Sequence, residues 1–392
     1  MRVHGPLGGG LLALCAGLAT LPLRSVGPEI GDPLPRLSQA QLQRFHDGKA
    51  AFEEAEGPAD GLGPVFNDVS CLSCHKAPAT GGTSDRVVTR FGRRNHNGAF
   101  DPLEEFGGSL IQEKGIGPQG SCDYVGEVVP NDATIVTRRR TTPLFGLGLV
   151  DAVPDDAFRE IARVQAALTP ATAGRVHMVA NLVTGRPSVG KFGWKSQVPS
   201  LLQFAGDAYL NEMGITTPLF PHENCPNGDC NLLVCNPRPD LNDDGEDMEK
   251  FADFMSMLAP PPPGPATRDA QHGRAIFTNL GCSSCHLPSL ATGPSRDRAY
   301  DRVTFAPYSD FLLHDMGSLG DGIAQGDAKG SEFRTAPLWG LRDQRALLHD
   351  GRARSIPEAV LAHDGQARRS RDRFAALSPQ DRDALIAFLR SL

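Results

Sequence analysis

The sequence predicts a mainly α-helical protein built from two similar halves, the first of which is enlarged by loop insertions. The first observation is a pentapeptide of the form Cys-x-x-Cys-His that occurs at residues 71–75 and again at residues 282–286. The second is that each copy follows a short helical segment and precedes, further along the chain, an amphipathic helix. The third is that the sequence contains no strand-rich or Rossmann-type pattern.

The N-terminus has the pattern of a secretory signal peptide. Arg2 precedes an apolar run over residues 7–23, and small residues around Ala19 allow cleavage there. The run is short and glycine-rich for a membrane-spanning helix, and no other stretch has the length to span. Cys15 follows Leu14, where a lipidation site has a small residue, so lipidation is the less favoured alternative. We therefore predict a signal peptide over 1–25 and an exported, periplasmic protein with no membrane span after its removal.

The composition indicates modest helices joined by long loops. The 392 residues include 43 Gly and 32 Pro, and the length is sufficient for two domains. The net charge of −7 argues against a nucleic-acid partner. An acidic surface would instead suit a basic redox partner.

The two Cys-x-x-Cys-His motifs have the spacing of covalent c-type haem attachment. The four thiols Cys71, Cys74, Cys282 and Cys285 would bond to the haem vinyl groups, and His75 and His286 would each bind an iron from one face. A zinc site or a thiol-redox site does not require a His directly after the second Cys, so these alternatives are less favoured. We predict two haem c groups.

The segments around the two motifs repeat one another. Before the motifs, HDGKAAF at 46–52 corresponds to QHGRAIF at 271–277, and after them RTTPLFGL at 140–147 corresponds to RTAPLWGL at 334–341. Each half then ends in an amphipathic helix, predicted over 248–258 and over 379–392, the second with Ser378 as its N-cap.

Helix, motif, loops and terminal helix is the layout of a small cytochrome c domain, and here it occurs twice. A proline run over 260–263, continued by Gly264 and Pro265, has the composition of an extended linker. We therefore predict an enlarged cytochrome c-like domain over 38–259, a linker over 260–267 and a compact cytochrome c-like domain over 268–392.

Four further cysteines are predicted to form two disulfides, because an even number in an exported chain favours pairing. Their three possible pairings stay open at this point, and a metal site that includes the nearby His222 is the less favoured alternative. The residues concerned are Cys122, Cys225, Cys230 and Cys235.

The second ligand of each iron decides between electron transfer and reaction with a small oxidant. For the second iron the candidates are His314, Met316, His349 and His363, and His363 is favoured because a helix starting at Ser355 would turn it inward. His314 and Met316 are expected to line the haem pocket or to contact a haem propionate.

For the first iron no ligand stands out. Met178 or Met213 would close the site, whereas Glu212 beside an open face would move the proton that peroxide cleavage requires.

Several stretches resemble the di-haem oxidoreductases, which are grouped with the bacterial di-haem cytochrome c peroxidases and the MauG enzyme. The resemblance lies in the two Arg-Thr-x-Pro-Leu blocks, in FGWKSQVPSLL at 192–202 and in LLHDGR at 347–352. It implies that the haem held by His75 reacts with peroxide and that the haem held by His286 stores and relays electrons. It also places the second iron's other ligand on His363, an inter-haem relay on Trp194 and a distal acid on Glu212.

This chain departs from the family pattern at one iron ligand, and the resemblance also implies a further ion. The peroxidases have Met and MauG has Tyr where this chain has His363, and a bis-His iron has a lower potential than a His/Met iron. The peroxidases also hold calcium, whose ligands do not map onto particular residues here. A separate acidic run, Asp240–Gly245, fits half of a calcium loop, but position twelve is Phe251, so a turn that caps the next helix is favoured.

The prediction is a periplasmic di-haem peroxidase that reduces hydrogen peroxide at the first haem. Its electrons would come from a small cytochrome or cupredoxin and pass through the second haem. The alternatives are an electron-transfer cytochrome with both irons closed, and a MauG-like enzyme that oxidises a protein or a small molecule.

Overall fold

The computed structural model describes Met1 and residues 28–392; apart from Met1, the predicted signal peptide, with Cys15, lies outside the described residues. Most of the regular structure is helical, as predicted. The helices are α1 Gln39–Glu53, α2 Cys71–Cys74, α3 Leu147–Asp151, α4 Asp155–Leu168, α5 Leu201–Met213, α6 Glu246–Met257, α7 Arg268–Leu280, α8 Ile356–Ala362, α9 Arg368–Ala375 and α10 Pro379–Arg390. None of them, within this described part, has the length and apolar character needed to cross a bilayer.

The strands are short and form small antiparallel sheets. They are β1 Val65–Phe66, β2 Val87–Arg94, β3 Phe100–Asp101, β4 Lys114–Gly115, β5 Gly117–Gln119, β6 Cys122–Tyr124, β7 Ile135–Arg140, β8 Met178–Val179, β9 Ser188–Val189, β10 Leu290–Ala291, β11 Thr304–Phe305, β12 Leu313–Asp315 and β13 Glu332–Arg334. One sheet, ordered β3–β2–β7, lies in the insertion of the first half and was not expected from the sequence. The pairing of β2 with β7 joins residues more than 40 positions apart, a separation that local patterns do not reveal.

The duplication in the sequence corresponds to two equivalent helix pairs in the structure. Helix α1 packs on α6 and α7 packs on α10. At each crossing a glycine of the repeated segment allows the backbones to touch: a Cβ on Gly48 would lie 2.3 Å from the Lys250 carbonyl, and one on Gly273 would lie 2.0 Å from the Ala384 carbonyl. The repeated glycine therefore has a packing reason, since any side chain would push the two helices apart.

The hydrophobic core crosses the boundary between the halves. The larger core cluster contains Phe45, Phe52 and Phe254 of the first pair, and it also includes Phe311 and Trp339 from the second half. The smaller cluster fills the space between α7 and α10. A division into domains at 260–267 thus remains a prediction, because the two halves share buried apolar surface.

The linker and the second helix pair follow the sequence closely. Residues 260–267 have no regular structure, and Arg342 fixes the linker by donating to the Pro262 carbonyl at 2.6 Å. The Ser378 hydroxyl caps α10 by accepting from the Asp381 amide at 3.1 Å, as predicted.

Both predicted disulfides are present. They link Cys122 to Cys235 and Cys225 to Cys230 and tie the insertion of the first half together. His222 is exposed beside them. The acidic run before α6 behaves as a cap, because the Asp243 carboxylate accepts from the amides of Asp247 and Met248.

Candidate functional site

The two Cys-x-x-Cys-His motifs adopt matching conformations. The first forms the short helix α2 and the second a 3₁₀ turn directly after α7. In each, the His amide donates to the carbonyl of the first Cys, at 3.0 Å for His75 and 2.9 Å for His286. All four motif cysteines are free thiols, whereas the other four described cysteines are paired in disulfides.

The outer nitrogen of each motif histidine is held by a main-chain carbonyl. His75 Nδ1 donates to Gly82 at 3.1 Å, and His286 Nδ1 donates to Tyr308 at 2.9 Å. Burial lowers the pKa of both imidazoles to about 4, which keeps them neutral. A fixed Nδ1–H and a free Nε2 are what a metal-bound histidine requires.

His363 faces His286 across a cavity. The two ring centres lie 6.5 Å apart, and His363 Nδ1 donates to the Ala359 carbonyl at 2.7 Å, which leaves Nε2 free. Two imidazoles that share a metal through bonds of about 2 Å hold their ring centres roughly 6 Å apart. Cys282 and Cys285 line the same cavity.

The sequence predicted that His363 lies within a helix, but the structure places it just after the helix. Helix α8 ends at Ala362, and His363 is the capping residue with extended backbone. The chain leaves the helix here because Ser318 and Arg368 hold the Asp364 carboxylate and Gly365 takes a positive φ. The side chain still points into the cavity.

The other candidates for the second iron have different surroundings. His314 is buried, with Nε2 3.0 Å from Asp310 and Nδ1 3.4 Å from Cys285 Sγ, and it lines the cavity together with Met316, as expected. Burial would lower the pKa of His314, but the hydrogen bonds to Asp310 and Cys285, together with the charges of these two groups, outweigh burial and raise the pKa to about 10. His349 is also buried and lines the same cavity, where it stacks on Phe333 at 4.3 Å.

Trp194 is clamped between the two repeated arginine blocks. Its indole Nε1 donates to the Arg140 carbonyl at 3.0 Å, and its own carbonyl accepts from the Arg334 amide at 2.9 Å. Its ring lines the cavity that contains His286. On the other side, the Thr141 side chain lies near Cys74, where it opposes the rise in the pKa of that thiol. Trp194 therefore lies between the two motifs. Its hydrogen-bond partner Arg140 is next in sequence to Thr141, which lies near Cys74 of the first motif.

A buried group of charges lies against this tryptophan. Lys195 is fully buried, with Nζ 3.3 Å from Asp321 Oδ1 and 3.9 Å from the centre of the Phe333 ring, and Arg139 Nε donates to Asp321 at 2.7 Å. Burial lowers the pKa of Lys195 to about 8, although Asp321 opposes this shift. Two cations share one carboxylate, which leaves excess positive charge beside the aromatic rings.

Glu212 lies in the last turn of α5. Its carboxylate accepts from Asn67 Nδ2 at 2.7 Å, and its carbonyl accepts from the Asn67 amide at 2.7 Å. Burial raises the pKa of Glu212, and the hydrogen bond from Asn67 opposes the shift. The carboxylate is near the first motif, because its charge helps to raise the pKa of the Cys74 thiol.

Arg90 adds a cation to the same region. It lies on β2, and burial lowers its pKa to about 10, while the nearby carboxylates of Glu212 and Asp207 oppose this shift. Of the two methionines considered for this iron, Met178 lies at the surface, where its sulfur accepts from Arg159. Met213 is buried in the large core cluster, directly after Glu212.

Residues 120–392 match the sequence family described as "Di-haem oxidoreductase, putative peroxidase". The chain belongs to this family. The matched range contains Trp194, Glu212 and the second motif, and it begins after the first motif. No curated protein matches the chain.

A structural comparison of this di-haem oxidoreductase with solved structures finds several similar chains. Hydrazine synthase from Kuenenia stuttgartiensis is 17% identical, with a TM-score of 0.42, over 98% of this chain and 100% of the other. A MauG-like protein associated with microbial copper homeostasis is 12% identical, with a TM-score of 0.42, over 94% of both chains. The diheme peroxidase BthA from Burkholderia thailandensis is 16% identical, with a TM-score of 0.42, over 94% and 92%.

Membership of the di-haem oxidoreductases implies two haems, and the residues present fit them. Each motif offers two free thiols and a histidine whose Nε2 is left unpaired by the hydrogen bond at Nδ1. The cavity at the second motif is mostly apolar and has His286 and His363 on facing sides. Among the described residues no group of three or more His, Cys, Asp or Glu forms a further metal cluster.

Sequence reasoning on this di-haem oxidoreductase missed Lys195, Asp321 and Arg90. Lys195 follows Trp194 in the FGWKSQ run, but nothing local indicates that its ammonium is buried. Its partner Asp321 is 126 positions away, and only the folded chain brings the two together.

Proposed function

We propose that this di-haem oxidoreductase is a periplasmic peroxidase that reduces hydrogen peroxide at a haem held by His75. Electrons would reach that haem from a second haem held by His286. One observation carries the proposal: His286 has an imidazole facing it at 6.5 Å, whereas the first motif has a half-buried carboxylate, Glu212, nearby. The two motifs thus have the surroundings of a closed and an open iron.

The proposal includes the mode of attachment and the domain organisation. The four thiols of the motifs would form thioether bonds to two haem c groups. Each haem would belong to a cytochrome c-like domain, the first over 38–259 and the second over 268–392, joined by the linker over 260–267. The matching helix pairs, with Gly48 and Gly273 at their crossings, support this division.

When bound, the haem at His75 would supply the iron and electrons for cleavage of the oxygen–oxygen bond. The protein would supply the proton movement. Glu212, oriented by the Asn67 side chain, would accept a proton from the inner peroxide oxygen and deliver it to the outer one. Its raised pKa suits this role, because the carboxylate is then a stronger base than an ordinary glutamate.

Reduction of one peroxide to two waters consumes two electrons and two protons. Two haems that each store one electron match this requirement. Trp194 is the proposed relay, since it lines the cavity of His286 and hydrogen bonds to Arg140, next to the Thr141 contact with Cys74.

Export and the partner complete the proposal. The disulfides Cys122–Cys235 and Cys225–Cys230 are typical of an oxidising compartment, which supports a periplasmic location. A small cytochrome or cupredoxin would supply the electrons. Calcium remains part of the proposal only as the superfamily implies it, because Asp243 is engaged as a helix cap.

The test is to mix the fully reduced holoprotein with one equivalent of hydrogen peroxide in a stopped-flow spectrometer. We expect both haems to be oxidised, with two electrons lost per peroxide. Haems that stay reduced, together with a ferric protein that has two low-spin irons, would overturn the proposal and identify an electron-transfer cytochrome.

A further inference from the structure

An open groove of about 910 Å³ lies along the linker, and the chemistry proposed above does not use it. Linker prolines form one side, and α7 with the end of α10 forms the other. Tyr308 and Trp339 are among the aromatic residues that line it. Both belong to the half of the chain that contains the second motif.

Two contacts connect this groove to the second iron site. The Tyr308 carbonyl accepts the hydrogen bond from His286 Nδ1 at 2.9 Å, so the groove wall is one hydrogen bond away from the proposed iron ligand. The Trp339 side chain borders both the groove and the cavity that holds His286 and His363. An electron carrier seated in the groove would thus be separated from the haem by single layers of side chains.

The first motif has no comparable route through the equivalent carbonyl. There the acceptor is Gly82, which is buried and covered by main chain: a Cβ at this position would lie 2.0 Å from the Ala77 carbonyl oxygen. The duplicated hydrogen bond therefore faces the surface groove only in the second half. This difference indicates entry of electrons at the second haem.

The groove is basic although the protein is acidic overall. Exposed Arg36, Arg274 and Arg302 line it, and the one side-chain carboxylate among its lining residues, Asp301, is paired with Arg302 at 3.1 Å. Within the described part of the chain, no side-chain carboxylate lies within 4.0 Å of Arg36 or Arg274. The lining side chains, three arginines and one aspartate, carry a net charge of +2, in a chain whose net charge is −7.

We infer that this groove docks an acidic redox protein, which passes electrons to the haem at His286. The inference rests on the proposed function for the presence of that haem. It corrects the expectation from the net charge, which favoured a basic partner: opposite local charges steer association, and the local charge here is positive.

The experiment compares the double variant Arg36→Glu/Arg274→Glu with wild type and with Arg186→Glu. Arg186 is exposed in the β8–β9 connection, away from the groove, and serves as the matched control. The ferric holoproteins are mixed with a reduced acidic cupredoxin, or with a neutral quinol, and reduction of the second haem is followed by absorbance. Peroxide is absent, so a failure of the peroxidase proposal leaves this measurement intact.

We expect the double variant to react about tenfold or more slowly with the cupredoxin at low ionic strength, and the difference to shrink as salt is added. Arg186→Glu should behave as wild type, and the quinol should reduce all three proteins at one rate, which verifies that they are folded. Equal cupredoxin rates for wild type and double variant, an equal loss in Arg186→Glu, or a wild type that only the quinol reduces would each overturn the inference.

Discussion

The surroundings of His286 and His75 are alike on one side of each proposed haem and different on the other. On the shared side, both imidazoles donate through Nδ1 to a carbonyl, and both motifs close with the same amide-to-carbonyl contact. On the other side, His286 has His363, whereas the first motif has Glu212 and Asn67 nearby. The two halves thus share the conformation of the motif and differ in the residues that surround it.

The origin of this difference is the insertion in the first half. Helix α5 brings Glu212 into the first site, and β2 brings Arg90. The second half has no such insertion between its motif and α8, and the residue after α8 reaches the cavity directly. The length of the insertion therefore accounts for the different neighbours of the two motifs.

The largest change is expected when His363 is removed. On the proposed assignment, His363→Ala would remove one ligand of the second iron, so the ferric spectrum of that iron should change from low-spin to high-spin. Electron paramagnetic resonance of the holoprotein measures this directly. Met316→Leu, which alters another residue of the same cavity, is the matched control and should stay low-spin.

The next effect concerns Glu212. Replacement by Gln keeps the hydrogen bond from Asn67 but removes the proton acceptor, so kcat/KM for peroxide should fall about 100-fold or more. Glu223→Gln is the control, because burial raises the pKa of Glu223 to about 8 but this residue lies beside Cys225, in the disulfide-linked loop. Equal losses in the two variants would point to a structural effect of neutralising a buried acid.

The pH dependence of the peroxide reaction rate tests the role of Glu212. Only the ionised carboxylate accepts a proton, and burial raises its pKa in the folded protein. The rate should therefore rise with pH through a value above the usual glutamate pKa of about 4.3. This limb should disappear in Glu212→Gln and persist in Glu223→Gln. A limb that survives in both variants would assign the titration to another group.

How far the sequence could predict these two regions depends on how far apart in the sequence the contacting residues are. The motifs, the helix pairs and the Ser378 cap depend on local spacing and were predictable. His363 was selected as a candidate from its position on the predicted helix, although its backbone has left the helix. The burial of Lys195 against Asp321, and of Glu212 against Asn67, depends on pairs 126 and 145 positions apart, which no local pattern encodes.

A smaller effect is expected at the relay between the two regions. Trp194→Phe retains an aromatic ring but is harder to oxidise and loses the hydrogen bond to the Arg140 carbonyl. Electron transfer between the haems should slow by about tenfold, which corresponds to roughly 1.4 kcal/mol in the barrier. Transient absorbance after reduction of the second haem measures this rate. Trp339→Phe, at the other tryptophan of the chain, should leave it unchanged, and equal rates in all three proteins would remove Trp194 from the route.

The smallest effects test whether the two regions are separate domains. The equivalent helices α1 and α7 have matched caps: Ser38 Oγ accepts from the Gln41 amide at 3.3 Å, and Thr267 Oγ1 accepts from the Ala270 amide at 3.1 Å. Replacing either cap by Ala should lower the free energy of unfolding by about 1 kcal/mol.

Denaturation by guanidinium, followed at the absorbance of each haem, shows which region responds. If the halves fold independently, Ser38→Ala shifts only the first haem's transition and Thr267→Ala only the second. Shifts of both transitions by either variant would instead show that the core shared through Phe311 and Trp339 makes the chain one cooperative unit.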